Sequence, residues 1–88
     1  MVTQKVEVTN PEGLHTRPAN AFVKMVKTFE STITIAKNET EVAGKSLLKI
    51  MKLGIVQGDT VTLLCDGSDE DEAMCALVTI LQTDGTGS

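Results

Sequence analysis

Within 88 residues, runs of β-branched residues alternate with runs at helical spacing, and that alternation limits the folds open to the chain. Residues 32–36 alternate Thr and Ile, and 60–66 reads Thr-Val-Thr-Leu-Leu-Cys-Asp; both patterns predict strands. A β-branched run over 2–9, containing Val2, Val6 and Val8, predicts another strand, and 40–43 a short one. Turn residues separate them at Asn10-Pro11-Glu12-Gly13, Lys37-Asn38-Glu39 and Gln57-Gly58-Asp59.

Helical spacing fills the gaps. Thr16 reads as an N-cap and Pro18 as a first-turn residue, ahead of Ala19, Phe22, Val23, Val26 and Phe29, so a helix is expected over about 17–28. Ser46 reads as the cap of a second helix that stops at Leu53, with Gly54 just past its end. Gly67 ends the fourth strand, and Asp69-Glu70-Asp71-Glu72 offers a cap, a capping box and dipole-favoured acids before Met74, Leu77, Val78 and Leu81. The order βαββαβα predicts an α+β fold, an open-faced two-layer β-sandwich with the helices on one face. One domain over 1–88 is expected, with the polar, Gly-rich 83–88 as a frayed tail.

Composition removes several function classes. The formal charge of −4 has the wrong sign for a phosphate-backbone binder, and Phe22 and Phe29 are the only aromatics, so nucleic acid is not an expected partner. Cys65 and Cys75 lack CxxC spacing; with one histidine they make a poor zinc site, so no metal and no cofactor is expected. Both are expected to be buried or half-buried free thiols. No leader-like apolar stretch or membrane span appears, which predicts a soluble, cytoplasmic, reduced protein with no membrane insertion.

Charge is unevenly placed. Residues 15–54 hold Arg17, Lys24, Lys27, Lys37, Lys45, Lys49 and Lys52 against three acids, whereas five acids crowd into 66–72. Two readings stay open: solvated scattered lysines beside an acidic helix start, or a basic face that steers acidic partners. The second helix poses a related choice. At about 100° per residue, Ile50 and Leu53 share one side, Leu47, Leu48 and Met51 another, and Lys49 and Lys52 a third. Either neighbouring loops cover the extra apolar side or it forms an exposed interaction patch.

His15, the only histidine, and Arg17, the only arginine, stand two apart where a helix begins. Helix starts present unpaired N–H groups and partial positive charge, which suit an anion. A neutral imidazole nitrogen there can attack phosphorus while the guanidinium and backbone N–H groups of Thr16 and Arg17 hold the oxygens. A lone loop histidine is also commonly incidental, and spacing alone leaves that open. No strained nucleophile motif supports a Ser-His-Asp arrangement, and no Gly-rich nucleotide loop supports a kinase or free-standing hydrolase.

Gly13-Leu14-His15-Thr16-Arg17-Pro18-Ala19 resembles the active-site signature of HPr, the histidine-containing phosphocarrier family of the bacterial phosphoenolpyruvate–sugar phosphotransferase system. Lys45-Ser46-Leu47-Leu48-Lys49, Leu53-Gly54-Ile55, Gln57-Gly58-Asp59 and Asp66-Gly67 resemble the family in register, over about 2–82. The resemblance implies a four-stranded antiparallel sheet in order 1-4-2-3. It implies that His15 accepts a phosphoryl group on Nδ1 from phosphorylated enzyme I and passes it to a histidine of a sugar-specific IIA domain. Arg17 then matches the phosphate-orienting arginine. Ser46 matches a serine that a kinase/phosphorylase modifies in many bacteria. Thr16, Asn20, Leu47, Leu48, Lys49 and Met51 fall where the family docks partners, and a monomer is expected. Alternatives are a carrier of the nitrogen-related branch, which regulates and imports no sugar, and a binding module that uses the Leu47, Leu48 and Met51 patch without phosphoryl transfer.

Overall fold

The computed structural model describes residues 1–11, 13, 14 and 16–82, with only the backbone of Thr16. His15, Glu12 and the tail expected to fray at 83–88 lie outside the described residues. The elements run β1(Val2–Glu7), α1(Thr16–Lys27), β2(Thr32–Lys37), β3(Thr40–Ala43), α2(Leu47–Lys52), β4(Thr60–Asp66) and α3(Glu70–Gln82). The strands form one sheet in order β1-β4-β2-β3, every neighbour antiparallel. Fold class, element order and strand order all match expectation.

Alternation places the core. Along β4, Val61, Leu63 and Cys65 are buried while Thr62 and Leu64 are half-buried on the other face. Val61 faces Val6 of β1, and Leu63 and Cys65 face Ile35 and Ile33 of β2, so one face carries a continuous apolar surface. All three helices cover that face, with Phe22 and Val26 from α1, Ile50 from α2, and Ala73, Leu77 and Leu81 from α3 in the same cluster. Each fully buried large side chain contributes about 1.5–3 kcal/mol. Among the described residues the longest helix has 13 residues, and none is long and apolar enough to cross a membrane.

Several boundaries move for identifiable reasons. β1 stops at Glu7, short of residue 9, because the Thr9 and Asn10 amides both turn to the Leu81 carbonyl at 3.1 Å. α1 ends at Lys27 because the Thr28 amide and hydroxyl both donate to the Met25 carbonyl, at 3.0 and 2.7 Å. Thr16 is the first helical residue and not the cap, so α1 begins one position before the expected start. Ser46 does cap α2, its Oγ accepting from the Lys49 amide at 3.4 Å, and Gly54 follows Leu53 at φ +66°.

The start of α3 differs more. Asp69, the expected cap, gives its carboxylate to another loop: it accepts from the Glu30 and Ser31 amides at 2.8 and 2.9 Å and from the Ser31 hydroxyl. Glu70 reaches back to the Gly67 amide at 3.1 Å and binds the Met1 ammonium at 2.8 Å. The acidic run is therefore partly structural, a role its composition does not reveal.

Candidate functional site

The loop entering α1 is laid against the backbone between α2 and β4. Gly13, at φ +61°, donates to the Asn10 carbonyl at 2.9 Å. A Cβ there would lie 2.4 Å from the Ile55 oxygen and 2.7 Å from the Val56 Cα, so only glycine permits the approach. The buried Leu14 donates its amide to the Ile55 carbonyl at 3.0 Å. Residues 13 and 14 are thus held on a fixed template.

That template has its own braces. Asp59 Oδ2 accepts from the Val56 amide at 2.9 Å and pairs with Lys37 Nζ at 2.8 Å. Lys37 Nζ also donates to the Gly54 carbonyl at 2.8 Å. The Lys37 ammonium first, then the Val56 amide, hold the Asp59 carboxyl below its ordinary value. Exchange between Val8 and the 58–59 turn, two bonds of 2.8 Å, joins the template to the end of β1. Lys37, grouped by sequence with the basic surface, is in fact a half-buried tie.

Arg17 is exposed in the first turn of α1, while the adjacent Pro18 and Ala19 are buried. Asn20, Lys24 and Lys27 are also exposed, at helical spacing along the same element. Among the described residues no ion pair involves Arg17, Lys24, Lys27, Lys45, Lys49 or Lys52. These cations keep their donors available to an incoming anion.

α2 packs beside α1 and adds apolar surface. Leu48 is 65% exposed and Met51 37%, with Lys49 and Lys52 exposed between and after them. Leu47 corrects the expectation of a three-residue exposed patch: it is half-buried and packs on the core, as Leu53 does. The sequence reading missed Val56, 45% exposed on the template itself. Its place in a turn-bounded stretch carries no periodic signal.

A separate groove of about 440 Å³ lies between β1 and α3, lined by Val2, Gln4, Asp71, Met74, Cys75, Val78 and Thr79. None of the expected site residues is on it. Cys75 there is exposed, against expectation, because it falls on the outer side of α3; Cys65 is buried in β4, and burial pushes its thiol up. Among the described residues no cluster of His, Cys, Asp or Glu could hold a metal ion.

The family model for the PTS HPr component phosphorylation site matches residues 2–83. The chain is 49% identical over 74 residues to the phosphocarrier protein HPr of Buchnera aphidicola, covering 84% of this chain and 87% of that one. It is 42% identical over 81 residues to the HPr of Vibrio cholerae, covering 92% and 95%. The crystal structure of HPr from Thermoanaerobacter tengcongensis superposes with a TM-score of 0.92 at 39% identity, covering 100% of this chain and 99% of that one.

Proposed function

The chain belongs to the HPr phosphocarriers of the phosphotransferase system, and from that premise we propose that it is a single carrier domain on which His15 takes up and releases the phosphoryl group. Nδ1 of His15 attacks phosphorus on phosphorylated enzyme I; the new N–P bond forms as the bond to the donor breaks. The same group then leaves for a histidine of an IIA domain, in sugar uptake and its regulation. Arg17 and the first amides of α1, those of Thr16 and Arg17, hold the phosphoryl oxygens, a fork for which the planar guanidinium is suited.

The observation that carries this reading is the exposed Arg17 guanidinium, in no ion pair with a described residue, in the first turn of α1, the helix that packs beside α2 with its exposed Leu48 and Met51. Enzyme I and the IIA domains are the proposed occupants of that surface, docking on Thr16, Asn20, Leu47, Leu48, Lys49 and Met51, with the carrier monomeric in the cytoplasm. Ser46 is proposed as a regulatory site for a serine kinase/phosphorylase. As the cap of α2 it can bear a phosphate without loss of the helix, while the added charge offsets the field of Lys45 and Lys49. Ser46→Asp should slow acceptance from enzyme I and Ser46→Ala should not; equal rates would leave Ser46 a cap alone.

The central test is incubation with enzyme I, Mg²⁺ and phosphoenolpyruvate. One acid-labile, alkali-stable phosphate should appear, and His15→Ala should abolish it. Arg17→Lys should slow transfer while folding stability stays within about 0.5 kcal/mol. Label surviving in His15→Ala, or unchanged transfer in Arg17→Lys, would remove the respective residue from the mechanism.

A further inference from the structure

The half-buried ion pair behind the template lies on none of the surfaces assigned to phosphoryl transfer, yet its bonds converge on the backbone under that loop. Lys37 ends β2, opposite Val61 of β4, and Asp59 immediately precedes β4. Lys37 Nζ holds the Gly54 carbonyl and Asp59 Oδ2 the Val56 amide, so the two charged groups grip both sides of Ile55. Ile55 in turn supplies the carbonyl that receives the Leu14 amide and the atoms that exclude a side chain at Gly13.

We propose that Lys37 and Asp59 are positioning residues for phosphoryl transfer: their ion pair fixes the 54–56 backbone, and with it the loop that delivers the acceptor. This rests on the reading of His15 given above. The physical basis is a chain of short, directional contacts. The two side chains are 22% and 26% exposed, so the pair is neither fully screened nor so deep that desolvation outweighs it. Each charge also makes a charge-assisted bond to a backbone group, and such bonds restrict geometry more than a point-charge attraction does. Without Lys37 the Gly54 carbonyl loses this donor and Asp59 keeps only Val56. The template can then shift relative to Gly13, where contacts below 3 Å to a notional Cβ show how little slack exists. A small displacement of an attacking atom lowers a transfer rate far more than it lowers affinity.

The test compares wild type, Lys37→Met and Lys37→Arg in two measurements. In single-turnover transfer from phosphorylated enzyme I, Lys37→Met should lose about fivefold in the first-order rate, with half-saturation within about twofold. Lys37→Arg, which can still reach Asp59 and the Gly54 carbonyl, should restore the rate. In amide exchange on the carrier alone, Lys37→Met should speed exchange at Leu14 about tenfold and leave Leu63 in β4 unchanged. The exchange experiment needs no enzyme I, so it stands or falls apart from the role of His15. A wild-type transfer rate in Lys37→Met, unchanged exchange at Leu14, or a loss that lies only in half-saturation would each overturn the proposal. A lower melting temperature with both measurements unchanged would make the pair a stability element only.

Discussion

The two ends of the sheet are pinned by the same pair of devices, a glycine with no room for Cβ and an aspartate that accepts backbone amides, but the wiring differs. At one end Gly67 lies so close to Ser31 that a Cβ would sit 2.6 Å from its Cα. There Asp69 bonds directly to the amides of Glu30 and Ser31, 38 residues away for the latter. At the other end Gly13 is pressed on Ile55 and Val56, yet Asp59 bonds three residues back within its own turn and reaches further only through Lys37. One end is stapled loop to loop by a carboxylate; at the other the carboxylate stays within its own turn and is neutralised by a lysine. The difference separates a joint that ties two loops directly from one that ties a turn to the end of β2 through a lysine.

The sharpest way to break this comparison is at the glycines. Gly13→Ala should destabilise by about 3 kcal/mol, because it adds left-handed backbone strain to the clash with the template. Gly67→Ala has a clash but no positive φ, and should cost about 2 kcal/mol. Denaturant titration ranks them, and a harmless Gly13→Ala would mean the template yields. Next comes Asp69→Ala, which strips the Glu30 and Ser31 amides of their acceptor. Its melting temperature should drop on the order of 10 °C while phosphoryl transfer at 25 °C stays at the wild-type rate. A slowed transfer would show that the two ends are coupled.

Acid should loosen both joints. The Ser31 hydroxyl first, then the Glu30 amide, lower the Asp69 carboxyl, as Lys37 and Val56 lower that of Asp59. Folded values below unfolded ones mean that the native state binds fewer protons, so the stabilisation is full above the unfolded aspartate range and is lost as pH falls through the folded values. Melting temperature measured from pH 6 down to 2 should therefore fall, and fall less steeply in Asp69→Asn; parallel curves would contradict the assignment. The smallest effect on folding belongs to Leu48→Glu, within about 0.5 kcal/mol because the side chain is exposed. It should weaken binding to enzyme I about tenfold by calorimetry. The same change at Leu47 should cost stability as well, since Leu47 packs on the core.

Local pattern made the elements legible. The Thr/Ile alternation of β2, the Ser46 cap and the Gly54 stop each depend on neighbours within a few positions, and all three appear where expected. Leu47 was harder, because an apolar residue between two sides of a short helix can turn either way and only the packed sheet decides. The braces were not legible at all. Asp59 reads as a turn residue and Asp69 as a cap, and nothing local pairs Asp69 with Ser31 or Lys37 with Gly54. Strand order 1-4-2-3 came from family resemblance and not from pattern, since alternation specifies which face is buried but not which strands are neighbours. The Gly13–Ala19 motif was recognisable as a motif, while the template beneath Gly13 and Leu14 became visible only in three dimensions.

β4 is the last of the described strands, yet it lies between β1 and β2. Until it has been synthesised, β1 has no neighbour, and β2 with β3 can make only a hairpin, which alone is marginal in water. The buried row Val61, Leu63 and Cys65 joins the two halves of the apolar face at once, so folding should be late and all-or-none, governed by closure of distant segments. During translation the loop at Gly13 and Leu14 and α1 therefore leave the ribosome long before the surface that will hold them exists.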